Sequence, residues 1–193
     1  MNCPYCQSPV YEDSPACPRC GLTMEKASAF FGAPPRLDSG VSDNAGVLSG
    51  TDARRLNRAI KSFERKFPQA GFTAAFIALP GDTLGPAYTM WVFNRCHPGA
   101  GEISGSGNRH VLLLVDVSGG GAWMTLGYGL EPFVGARHLQ RCLDAAYLHF
   151  ATGRWAEGAH AAIAELNGLL REIHTSLPRI FGLTTESSPS ATR

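Results

Sequence analysis

The sequence has no long hydrophobic run. Its most apolar stretches, 72–80 and 110–117, fall far short of the roughly 20 residues a membrane-spanning helix needs. No bilayer span is expected. There is little net charge, +1 over 193 residues, so no global field draws the chain to nucleic acid or to an anionic membrane surface. Lysine is scarce, three against fourteen arginines. The arginines are scattered rather than clustered, which again argues against a nucleic-acid footprint. The glycine-rich stretch 99–107 lacks the preceding strand and the internal lysine of a phosphate loop, so nucleotide binding has no motif to rest on. No signal peptide fits ahead of Cys3, which makes a reducing cytoplasm the expected compartment. No internal repeat is visible.

What is present begins with cysteine. Four of the six cysteines lie in the first twenty residues, as Cys3-Pro-Tyr-Cys6 and Cys17-Pro-Arg-Cys20 followed by Gly21. A two-residue spacer lets a tight turn aim both sulfurs at one ion, and two such turns make a closed tetrahedral thiolate shell. Gly21 suits the positive-φ turn that such a knuckle needs. The alternatives are two disulfides, which belong to an exported chain, and a redox pair, which belongs in a βαβ setting. The spacing therefore points to structural Zn²⁺ held by Cys3, Cys6, Cys17 and Cys20. Four thiolates leave no open position for water or substrate. The ion supplies fold rather than chemistry, replacing a core that so short a segment cannot build. Arg19 is the single basic side chain in this ribbon, so nucleic-acid binding by the ribbon is the weakest of the functional alternatives.

Hydrophobic residues make up 44% of the chain, enough for one ordinary core beside the ribbon. The expected organisation is a zinc ribbon over 1–24, a linker over 25–37 stiffened by Pro34-Pro35, an α/β/α domain over 38–178 and a disordered tail over 179–193. Thr51 reads as the N-cap of a helix over 52–67 with Leu56, Ile60, Phe63 and Phe67 on one face. A strand over 71–79 leads to a short helix over 87–96. The run 110–117 is the best strand, and Ser118-Gly-Gly-Gly121 returns the chain into a partner at 122–128. Helices over 136–150 and 155–176 follow. Crossover helices impose parallel neighbours and the hairpin imposes one antiparallel pair. The fold class is therefore α/β, a three-layer α/β/α sandwich with a mixed sheet, preceded by a small zinc ribbon.

Four segments in order carry a family likeness: Val41-Ser-Asp-Asn-Ala-Gly-Val-Leu-Ser49, Asn108-Arg-His-Val-Leu-Leu-Leu-Val115, Leu126-Gly-Tyr-Gly-Leu-Glu131 and Phe150-Ala-Thr-Gly-Arg-Trp-Ala-Glu-Gly158. Over about residues 38–175 the chain resembles the TPM domain family, named for thylakoid lumenal and photosystem-repair proteins and a nematode receptor modulator. The resemblance implies a groove near the glycine-rich loops and binding of Ca²⁺ or Mg²⁺ by acidic side chains. Some relatives are credited with acid phosphatase activity, and others assist in assembling or repairing membrane complexes. By motif position it implies Asp43, Asn108, Asp116 and Glu131 as candidate site residues. Hard cations want oxygen ligands, and a phosphomonoester needs its charge neutralised before water attacks. Each candidate also has an ordinary role: Asp43 as a turn cap, Asp116 as a strand-end charge, Glu131 as an exposed loop residue.

Three features depart from the family pattern. Pro132-Phe-Val-Gly-Ala136 stands where relatives carry an acidic residue opening the next helix, Gly107 replaces an acidic loop residue, and Arg109 replaces a glycine. Fewer oxygen ligands lower divalent-ion affinity, while Arg109 offers a bidentate contact to a phosphate. His138 and Cys142, with Cys96 and His97, form a conceivable second zinc site, although core and surface roles are the more ordinary reading. No third group orients a Cys–His nucleophile. The functional expectation is a ribbon-tethered TPM-like module, weakly catalytic or non-catalytic, working through a protein partner. The alternative is a divalent-metal-dependent acid-type phosphatase with a phosphoester substrate, its ion held by Asp43, Asp116 and Glu131.

Overall fold

A strand that is apolar on both faces has no solvent side and must sit inside a sheet. Gly-Phe-Thr-Ala-Ala-Phe-Ile and His-Val-Leu-Leu-Leu-Val-Asp are two such runs. The computed structural model describes residues 3–11, 14–96 and 106–180. It contains four strands, β1 (Gly40–Asp43), β2 (Gly71–Ile77), β3 (His110–Asp116) and β4 (Ala122–Leu126), in one sheet of order β1-β2-β3-β4. The first three run parallel and β4 returns antiparallel to β3. His97, the glycines at 99–105 and the tail from 181 lie outside the described residues.

Strand side chains alternate between faces, and both faces here are covered. Phe72, Ala74 and Phe76 of β2 and Val111, Leu113 and Val115 of β3 enter one core. That core is closed by α2 (Gly50–Lys66), α4 (Ala136–Ala151) and α5 (Trp155–Ile180). Ala75, Ile77, Leu112 and Leu114 enter the other, under α3 (Gly85–Cys96), whose Trp91 and Val92 are fully buried. This is the three-layer α/β/α arrangement with a mixed sheet that the element order implies.

Two local expectations are corrected. The segment read as linker holds a helix, α1 (Met24–Phe31), capped by Thr23, whose hydroxyl accepts the Lys26 amide at 3.1 Å, and ended by Gly32 at φ 78°. The cap of α2 is Ser49, not Thr51. Its hydroxyl accepts the Asp52 amide at 3.1 Å and donates to the Asp52 carboxylate at 2.6 Å, a reciprocal pair that starts the helix earlier. The residues just before α2, for which the sequence offers no strand, supply edge strand β1 at Gly40–Asp43. The outward amide of Val41 does not face solvent alone, because the Asn57 carbonyl oxygen on α2 accepts it at 3.2 Å.

One buried residue at the start of β3 is titratable near neutral pH. His110 opens β3, is 4% exposed, and shares a 2.9 Å hydrogen bond between its Nε2 and Thr73 Oγ1. Its imidazole lies over Gly71, its register partner on β2, where any Cβ would collide with the ring. Burial lowers its pKa from 6.5 to about 4. Between those values the unfolded chain binds a proton that the folded chain refuses, so stability rises with pH across that window. The His110 contribution should fall as pH drops from 6.5 towards 4 and level off below, with a total of roughly 3.5 kcal/mol at about 1.4 kcal/mol per unit. Urea midpoints measured at closely spaced pH should show this slope in the parent and lose most of it in His110→Gln.

Candidate metal centre

The ribbon is built from two near-copies of one turn. In the first, the Gln7 amide donates to the Cys3 carbonyl at 2.8 Å and the Cys3 amide to the Ser8 carbonyl at 2.8 Å. In the second, the Gly21 amide donates to the Cys17 carbonyl at 2.9 Å and the Cys17 amide to the Leu22 carbonyl at 3.0 Å. The residue after each second cysteine is left-handed, Gln7 at φ 60° and Gly21 at φ 66°. Sequence reasoning found Gly21 and missed Gln7. Its signal was position, since it stands where Gly21 stands in the other turn.

These turns bring four sulfurs together. Cys3 and Cys20 Sγ are 3.7 Å apart, Cys6 and Cys17 Sγ 3.6 Å, and all four lie within 4.8 Å of one another. Metal–sulfur bonds of about 2.3 Å in a tetrahedron give sulfur separations of about 3.8 Å, whereas a disulfide needs about 2.05 Å. The set fits a four-coordinate metal ion, and all six cysteines of the chain are free thiols. Donors serve the sulfurs from outside the shell. The Ser8 hydroxyl and amide bring the Cys6 thiol down to about 6. Bonds from the Cys20 and Arg19 amides lower Cys17. At Cys20 the Leu22 amide pulls downward, but burial and the other three sulfurs win and push it up to about 12. Four negative sulfurs this close repel one another, and a bound cation relieves that repulsion.

The acidic candidates do not converge. Asp43 ends β1 opposite Phe76 and Asp116 ends β3 opposite Ile77, so both stand at the carboxyl end of the parallel strands. Asn108 precedes β3 and Glu131 follows the antiparallel β4, which puts both at the other end. There the Gly127 amide donates to the His110 carbonyl at 2.9 Å and the Gly129 amide to the Asn108 carbonyl at 2.7 Å. Seven residues of β3 separate the two ends by on the order of 20 Å. Strand direction therefore does not gather Asp43, Asp116 and Glu131 around one point. Among the described residues, the cysteine quartet is the one group of three or more ligand-type side chains whose donor atoms converge.

Even at the shared end the carboxylates serve the backbone. Asp43 accepts the Val47 and Leu48 amides at 3.1 and 2.9 Å. One Asp116 oxygen accepts the Leu79 amide at 3.0 Å, the Ser118 amide at 3.0 Å and the Ser118 hydroxyl at 2.6 Å. The other accepts the Gly119 amide at 3.0 Å. Burial alone would raise the Asp116 pKa, but these donors outweigh it and hold the carboxyl below its ordinary value. Glu131, Asn108 and Arg109 are exposed. The conceivable second zinc site is not assembled either: Cys142 is buried in the core beneath α4, while Cys96 lies with α3 across the sheet. Burial pushes Cys142 up to about 12 and raises Cys96, whose thiol donates to the Pro35 carbonyl at 3.3 Å, so both carry less thiolate than a solvent-exposed cysteine.

The family model for the TPM domain matches residues 41–169, more than half of the chain. The chain belongs to the TPM domain family. Solved structures agree at the level of fold. The N-terminal domain of a protein from P. gingivalis superposes with TM-score 0.58 at 22% identity, over 68% of this chain and 82% of that one. The N-terminal domain of the cg2496 protein from Corynebacterium glutamicum gives 0.53 at 14% identity, over 84% and 90%. The BA42 protein from the psychrophilic bacterium Bizionia argentinensis gives 0.56 at 15% identity, over 67% and 86%. No curated protein matches. The ribbon lies ahead of the matched residues.

Much of the TPM signature in this chain has a structural cause. In the segment from Phe150 to Gly158, Gly153 turns the chain at φ 71°, and the absence of a Cβ at Gly158 makes room for the Phe150 ring, which stacks on Trp155 at 6.4 Å. In Gly-Tyr-Gly-Leu-Glu, a Cβ at Gly129 would meet the Asn108 carbonyl oxygen at 2.9 Å and Arg109 Cγ at 2.8 Å. Asp43 and Asp116 hold the turns that leave β1 and β3. Asp116→Ala should therefore cost roughly 2–4 kcal/mol in urea unfolding, because buried amides lose their acceptor. Asp116→Asn, which keeps the more heavily used oxygen, should cost less.

Proposed function

We propose that this TPM domain works by holding a partner protein rather than by turning over phosphoesters, and that Zn²⁺ holds its ribbon. The observation that carries the first statement is the separation of the acidic residues: two carboxylates bound to their own turns at one end of the sheet, Glu131 exposed at the other. An ion that activates water needs several oxygen ligands around one point with a position left open, and the described carboxylates do not surround one. The statement about zinc is supported by an all-sulfur tetrahedral donor set, which favours Zn²⁺ over the oxygen-seeking Ca²⁺ and Mg²⁺. A closed shell assigns the metal to folding, and free thiols suit a reducing compartment such as the cytoplasm.

The reading is tested on the full chain. Ca²⁺ or Mg²⁺ titrated to millimolar concentration should leave the thermal midpoint unchanged, since an ion bound only by the folded state must raise it. An aryl phosphate should not be hydrolysed above background, and Asp43→Asn should leave that result as it is. A saturable rise with metal-dependent turnover, both lost in Asp43→Asn or in Glu131→Gln, would reinstate the phosphatase alternative. Elemental analysis of the purified chain should find a single zinc per molecule, and Cys17→Ser should abolish it.

A further inference from the structure

The helix α1 has eight residues, too few to hold together alone in water. Two contacts hold it. At its start, the Leu22 carbonyl accepts the Cys17 amide inside the second knuckle, and Lys26 Nζ donates to the carbonyl of Gly21, the left-handed residue of that knuckle, at 2.9 Å. Along its side, Ala27 is buried, Trp91 Nε1 of α3 donates to Ser28 Oγ at 3.0 Å, and the Phe31 ring lies 5.2 Å from Tyr88 and 5.3 Å from Trp91. The helix therefore bridges the four cysteines and the aromatic side of α3, with Leu22 of the knuckle packed on the core under α3.

We propose that metal binding in the ribbon latches α1 onto α3, and that metal loss releases it and uncovers the Tyr88–Trp91 face. The knuckle is the N-terminal anchor of α1. When the four sulfurs lose their ion, nothing ties the second turn to the first, the carbonyls of Gly21 and Leu22 lose their fixed positions, and the first turn of α1 loses its support. A helix this short does not survive on side contacts alone. Phe31 and Ser28 then leave Trp91, whose indole N–H gains water in place of the serine hydroxyl. The larger core is untouched, because Phe72, Leu113 and their neighbours are closed by α2, α4 and α5, whereas the core under α3 loses Ala27 and Phe31 but keeps Trp91, Val92 and the sheet. The ribbon is thus a metal-controlled cover over an aromatic surface of the domain. The inference rests on the ribbon geometry and not on the choice between partner holding and phosphatase activity.

Trp91 is one of three tryptophans, so the full chain carrying Trp123→Phe and Trp155→Phe reports on it alone. Chelation of the Zn²⁺-loaded protein should red-shift Trp91 emission and raise its quenching by acrylamide, and Zn²⁺ added back should reverse both. In parallel, amide hydrogen exchange should lose protection across Met24–Phe31 while β2 and β3 keep theirs. Phe31→Ala should expose Trp91 with zinc content unchanged, which separates the latch from collapse of the ribbon. The proposal is overturned if Trp91 emission ignores chelation, if α1 keeps its protection without metal, or if β2 and β3 lose protection together with α1.

Discussion

Two parallel strands that can face water on neither side set the terms for this protein. β2 and β3 carry apolar residues on alternate positions of both faces, so a cover is required above and below, and the remaining elements are arranged as those covers. One face receives three helices. The other receives α3, whose aromatic side extends beyond the sheet and is completed by α1. That shortfall is why the ribbon is not a free appendage. Its exit helix fills a gap in the smaller layer, and the metal site is joined to the core through residues such as Ala27 and Phe31.

The same strand directions decide what the acidic residues can do. A carboxylate at the end of a parallel strand is well placed to organise the loop that leaves it, and Asp43 and Asp116 are both used in that way. Asp116 joins two segments, since its donors come from the chain just after β2 and from the β3–β4 turn. A group so engaged must give up several hydrogen bonds before it can bind an ion. In this chain the family's acidic motif works as a set of joints.

Legibility followed the length and chemistry of each signal. The ribbon was readable because thiol spacing is a geometric requirement, and α2, α4 and α5 because Leu56, Ile60 and Phe63, or Ala159, Ile163 and Leu166, repeat at helical intervals. The helix α1 was not, since eight residues with Ala27 as their single buried member leave no periodic trace. β1 was missed because its inward positions are Gly40 and Ser42, neither of which announces a strand. The separation of the acidic residues was within reach. A hairpin from β3 to β4 forces the residue before β3 and the residue after β4 to one end, and Asp116 to the other. Motif order hid that, because sequence order carries no strand direction. The donors on Asp116 were beyond reach, since Leu79 is brought to it only by the completed sheet.

The Asn57 side chain on the Val41 amide has a consequence for association. A sheet can grow only through an edge whose amides and carbonyls are free to pair, and here β1 is occupied by its own helix while β4, the other edge, carries no charge and no proline. Among the described residues nothing pairs with the outward backbone of β4, so the sheet has one closed margin and one open margin. Pairing through β4 with a second copy uses up both open margins at once and leaves two closed ones facing outward. Assembly by that route ends at a pair and does not propagate into a fibre.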